Sequence, residues 1–192
     1  MSEPITEANG VAEATASSEQ WYRKALMGLA REIARLEKME ARGDLAALRR
    51  IDPNHPTEPA LFRIIGRAAP DELMAGPERI RRYAAIMKFM ALKPDALRQG
   101  GLGKCLQDAG VSGQRLLALL NARGSTLIDV ARRTARRLVQ APEVAALPYM
   151  ELATLILLDG MPSYELATER IRLRIAAEYQ RAAYETSTAS ED

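Results

Sequence analysis

Apolar residues recur every three or four positions through most of the chain, the spacing of helices with one buried face. Trp21, Leu26, Leu29, Ile33 and Leu36 fall on one stripe, which predicts a helix from Ser17 to Arg42. Ser17 and Gln20 have capping-box spacing at its start, and Gly43 is the expected stop. A short helix over Asp44 to Ile51 follows, then a proline-rich loop from Pro53 to Pro59 that holds His55. Leu61, Phe62, Ile64 and Ile65 predict a brief apolar helix. Gly76 and Pro77 open another that runs to Lys93, with proline at the first position as its fixed φ favours. Beyond the Gly100-Gly-Leu-Gly103 turn come helical periods over Lys104 to Ala109, Gly113 to Ala122, Thr126 to Ala141, Pro148 to Leu158 and Ser163 to Tyr184. Only Arg170 to Ile175 alternates at strand period; its flanks are helix formers and a lone strand has no partner, so it is read as helix. The fold class expected is all-α: a compact helical bundle, with possible sub-bundles over 17–99 and 100–184. Residues 1–16 and 185–192 are acidic and aperiodic and are expected to be disordered.

Composition agrees with helices. Ala, Leu, Arg and Glu dominate the 192 residues, while aromatic residues make up only 5%. The one cysteine, Cys105, excludes an intramolecular disulfide and sits in an apolar helical pattern, as a small core residue does. No apolar run approaches the roughly 20 residues that a membrane span requires; Leu152 to Leu158 is the longest. The acidic opening lacks the basic start of a signal peptide. A cytoplasmic protein with no membrane association is expected.

Charge changes the picture more. Residues 76–140 carry 13 Lys/Arg against 4 Asp/Glu, whereas the remainder carries 14 against 21. A folded surface so basic repels itself unless an anion lies nearby, and phosphate backbones are the commonest one. On a helix from Thr126 to Ala141, Arg132, Arg133, Arg136 and Arg137 share an arc of about 140°, opposite Leu127, Ile128, Ala131, Ala135, Leu138 and Val139. Guanidinium suits phosphate because its planar fork donates two parallel hydrogen bonds. Lys88, Lys93, Arg98, Lys104, Arg115 and Arg123 could extend the track, and Arg79, Arg81 and Arg82 form a cluster before it. The plainer alternative, a solvated face with i,i+4 ion pairs, is weakened by the scarcity of acids in this segment. It is stronger for Arg170, Arg172, Arg174 and Arg181, which have Glu169 and Glu178 close by. With few aromatics to stack on bases, binding should follow the backbone, with little base discrimination and steep salt dependence.

Nothing points to catalysis. His55 is the only histidine and lies in a loop; Glu151, Asp159, Asp71 and Glu72 form neither a metal-ligand cluster nor an acid/base pair. Gly100 to Lys104 lacks the full spacing of a phosphate loop and follows no predicted strand. No catalytic residue, no metal and no cofactor are expected.

Leu102 to Leu120 has the form of a helix-turn-helix, with a turn at Gly110 and Ser112 as cap, so a DNA-binding regulator is an open alternative. A recognition helix needs polar side chains at its N-terminal end. Here Gln114 and Arg115 are followed by Leu116, Leu117, Leu119 and Leu120, which are expected to be buried. A purely architectural helical adaptor is the other alternative.

The chain also resembles the small subunit (CasB family) of the type I-E CRISPR surveillance complex Cascade. The resemblance is carried in order by Gly43 to Arg50, Pro59 to Ile65, Leu102 to Leu106 with Gly110, Arg115 to Leu120, Asp129 to Leu138, and Arg170 to Tyr179. It covers roughly residues 17–182. It implies an all-helical, non-catalytic subunit present as two head-to-tail copies, bridging other Cascade subunits in antiviral defence. It further implies that a basic surface holds the displaced single-stranded DNA and so stabilises the R-loop, with CRISPR RNA contacted mainly by other subunits. The resemblance further implies that Arg79, Arg123 and Arg137, and after them the cluster of Arg170, Arg172 and Arg174, match the family's nucleic-acid-contacting positions.

Overall fold

The structure is a computed structural model that describes residues 6–188. Among these, nine α-helices account for nearly all regular structure. They are α1 (Thr6–Lys38), α2 (Arg42–Arg50), α3 (Pro59–Ala68), α4 (Pro77–Met90), α5 (Leu102–Asp108), α6 (Gly113–Asn121), α7 (Gly124–Gln140), α8 (Met150–Leu158) and α9 (Glu165–Thr188). The fold is all-α, as the periodicity predicts. Arg170 to Ile175 lies inside α9. The one departure is a two-residue parallel bridge, β1 (Leu97–Arg98) with β2 (Leu147–Pro148). The Leu147 amide donates to the Ala96 carbonyl at 2.7 Å and the Tyr149 amide to Arg98 at 2.9 Å. Such a pairing satisfies loop backbone groups that would otherwise be buried unpaired.

Several helix boundaries differ from expectation. α1 opens at Thr6, so Ser17 lies within the helix and not at its start. The alanine-rich stretch before Ser17 has enough helix propensity to extend the element. Residues 1–5 and 189–192 of the acidic ends lie outside the described residues, while α9 continues to Thr188. At its other end α1 stops at Lys38, and Gly43 belongs to the first turn of α2. The reversal is made by Glu40 at φ 53°, with the Ala41 amide bonded to Leu36 O at 2.9 Å and the Glu40 amide to Glu37 O at 3.0 Å. Those two bonds are a Schellman motif, built around a residue that is not glycine. The left-handed region costs an L residue roughly 1–2 kcal/mol, partly offset on substitution by glycine's greater unfolded-state entropy. Glu40→Gly is therefore expected to raise stability, by less than about 1 kcal/mol, as read from urea denaturation midpoints.

α8 lies at the centre. All nine of its residues are buried, which explains the apolar run from Leu152 to Leu158: a helix apolar on every side must be surrounded. α1, α4, α7 and α9 pack around it, so the two halves of the chain share one core. Trp21 and Tyr22 of α1 meet Tyr164 edge to face, and Trp21 Nε1 donates to the Tyr164 hydroxyl at 2.6 Å. α5 lies directly on α9 with Gly103 at the crossing. The turn after α5 is at Gly110, φ 62°, where the sequence places it.

Candidate nucleic-acid interface

The basic face is built on α7. Leu127, Ala131, Ala135 and Leu138 are buried, and this fixes the rotation of the helix so that its four arginines point outward. The N-terminus of α7 is anchored by Asp159, whose Oδ2 accepts the Gly124 amide at 2.6 Å. A carboxylate there satisfies an otherwise free amide and complements the helix dipole. The arginine arc separates two grooves of different electrical character.

On the α4 side, a cleft of about 520 Å³ is lined by Arg81, Arg82, Lys88 and Arg132, but also by Asp52, Glu78, Asp129 and Asp159. Its cations are largely engaged. Arg132 pairs with Asp129 at 3.5 Å, and Arg82 bonds Glu78 and the carbonyls of Leu157 and Asp159 at 2.6–3.3 Å. Lys88 donates to the Ile51 carbonyl at 2.6 Å. A carbonyl satisfies the ammonium's hydrogens without cancelling its charge. Burial, and then the positive charges of Arg132 and Arg136, hold Lys88 below the ordinary lysine range.

On the α6 side, a groove of about 490 Å³ has Val111, Ala118 and Val130 among its lining and Arg115, Arg133, Arg136 and Arg137 around it; no carboxylate lines it. Among the described residues these four arginines make no ion pair. Two of them donate to backbone carbonyls, Arg133 to Asp129 at 3.3 Å and Arg137 to Ala109 at 3.4 Å. All four side chains are exposed. This is where uncancelled positive charge concentrates.

The other sequence-predicted cations are placed elsewhere. Arg79 is mostly buried, 3.1 Å from Glu72 and stacked over the Trp21 ring at 4.9 Å, so it ties α4 to α1. Lys93 donates to the Val144 carbonyl and Arg98 to Gly100 O and Cys105 Sγ; both keep their charge, but neither lines the α6–α7 groove. Lys104 is exposed beside Asp108 at 3.5 Å. Arg123 closes the α6–α7 turn, donating to Leu120 and Ala122 carbonyls and pairing with Glu169 at 2.9 Å.

The α9 set divides in the same way. Arg172 is 5% exposed and held by Glu169 at 3.1 Å and Asp159 at 3.7 Å, so it is a core cation that no strand can reach from solvent. Arg174 leans over buried Glu151 at 3.6 Å; burial pushes that carboxyl above its ordinary range. Arg170 is exposed and makes no ion pair among the described residues. The charge count of the sequence could not show the pairings of Arg123 with Glu169, Arg172 with Asp159 and Arg174 with Glu151, because each joins residues of different elements.

Two further expectations are decided here. Cys105 is buried, as its apolar setting predicts. Leu117, expected inside, is 57% exposed: α6 packs through Leu116 and Leu119, with Leu120 partly buried, since α7 and α9 cover one side of it. Among the described residues no group of three or more His, Cys, Asp and Glu is placed to hold a metal ion.

The family model described as CRISPR-associated protein Cse2 matches residues 44–179. No curated protein and no solved structure matches the chain. The matched span takes in both grooves and every candidate cation from Arg79 to Arg174.

Proposed function

Because the chain belongs to the Cse2 (CasB) family, the small subunit of the type I-E CRISPR complex Cascade, we propose that it is a non-catalytic subunit that stabilises the R-loop by binding the displaced DNA strand along the α6–α7 face. The observation that carries this reading is the groove with four exposed arginines and no carboxylate in its lining. Opening a target exchanges a DNA duplex for an RNA–DNA hybrid of similar stability, so modest backbone contacts to the ejected strand tip the balance. Guanidiniums supply them by neutralising phosphates and releasing condensed counterions. Helix α7 holds three of the four on one rigid element, so little ordering is lost when the strand docks.

The same reading has the chain working in the cytoplasm beside other Cascade subunits and CRISPR RNA, with a second copy of itself extending the basic surface. No helix among the described residues is long and apolar enough to cross a membrane. Footprinting the displaced strand on the assembled, target-bound complex tests the proposal. Protection of that strand is expected to require this subunit. Identical cleavage patterns with and without it would exclude strand holding and leave the architectural-adaptor reading. A duplex-reading regulator is not favoured: α5 packs against α9, and three of the four unpaired arginines stand on α7 and not on α6, the helix that would have to enter a groove.

A further inference from the structure

Resting on that reading, we propose that the α6–α7 groove holds a nucleobase as well as flanking phosphates, which makes it a single-strand site and not a general polyanion patch. The groove has two chemistries. Its rim is guanidinium, but Val111, Ala118 and Val130 lie within it. Apolar surface offers a phosphate nothing, because phosphate oxygens require donors and lose hydration when laid against hydrocarbon. A base has the opposite needs: two apolar faces and a polar edge. Thr134 and Gln140, also in the lining, present a hydroxyl and an amide, each able both to donate and to accept.

The volume, about 490 Å³, lies in the range of pockets that enclose small organic groups. Arginines stand on both walls, Arg115 from α6 and Arg133 and Arg137 from α7, so phosphates on either side of an inserted base each have a partner. A guanidinium plane can also stack on the base itself. Bases of a closed duplex are paired and stacked and cannot enter, whereas those of an ejected strand are free. The scarcity of aromatic residues is thus compensated by aliphatic burial.

The test compares binding of the full chain to a fluorescently labelled oligothymidine and to an abasic oligonucleotide of equal length and charge, by anisotropy at low salt. The natural strand is expected to bind about fivefold or more tightly, the lower end of what one base contributes on an aromatic platform, here replaced by aliphatic walls and a guanidinium plane. In an Ala118→Leu/Val130→Leu variant, which fills the floor without altering charge, that ratio should fall towards one while abasic binding is retained. Equal binding of the two strands by wild type overturns the base pocket and leaves backbone binding standing. Failure to bind either strand overturns both readings. A polyglutamate peptide that outcompetes the natural strand would assign the groove to an acidic protein segment and also overturn the proposal. Should the double variant not fold, the wild-type comparison alone decides.

Discussion

Replacing Arg115, Arg133, Arg136 and Arg137 together by alanine is expected to flatten the salt dependence of single-strand binding. Each phosphate contact on single-stranded DNA contributes a slope of about 0.7 in log K against log salt. Losing four contacts should therefore lower the slope by as much as about 3, with the largest affinity loss at low salt. Helix content should not change, because all four side chains are exposed and none holds an ion pair that folding uses. Arg132→Ala is expected to do much less, since Asp129 at 3.5 Å already offsets that charge. Arg172→Met gives the opposite signature. It should alter stability and leave the salt slope alone, because Arg172 is buried between Glu169 and Asp159. An unchanged slope in the quadruple variant would remove the α6–α7 face from the binding surface.

Gly103→Ala is expected to be the most damaging single substitution of a small residue. Here α5 crosses α9 backbone to backbone. A Cβ on residue 103 would run into the Ile175 carbonyl and stand 2.6 Å from Glu178 Cβ and 2.7 Å from the Tyr179 amide. Two of these three neighbours are main-chain atoms inside a helix, so no rotamer change relieves the clash. The two helices must separate, which weakens the bond from the Gly103 amide to Glu178 Oε2 at 3.2 Å and unpacks Leu102 and Leu106. Overpacking costs about 1–3 kcal/mol where a core can adjust; at least the upper end is expected here. For a chain of this size that lowers the melting temperature by about 6–12 °C. Gly43→Ala is the control, for nothing lies within 4 Å of its added carbon. It should be neutral or slightly stabilising in a thermal melt.

Loss of stability at Gly103 would carry over to function through position. α5 and the Gly110 turn set where Val111 and α6 stand, and Tyr179 of α9 pins that turn by donating to the Val111 carbonyl at 2.6 Å. The same residue of the turn lines the groove. Loosening the α5–α9 crossing therefore moves one wall of the proposed binding site relative to the other.

Much of this protein was determined by local rules that act within a few residues. The apolar repeat of 3.6 residues placed every helix, and it decided correctly that Arg170 to Ile175 continues a helix despite its alternation. The order of short segments from Gly43 to Tyr179 identified the family, and the arc of arginines opposite Leu127, Ala131, Ala135 and Leu138 set which side of α7 faces out. Which cations remain free was decided only by tertiary structure. Arg79 is neutralised by Glu72 and stacked on Trp21, Arg123 is neutralised by Glu169, and Arg172 by Asp159 and Glu169; most of these partners lie far off in sequence. The physical reason is the range of the forces. Helix periodicity depends on neighbours along the chain, whereas charge cancellation and desolvation depend on whichever groups the fold brings within a few ångströms.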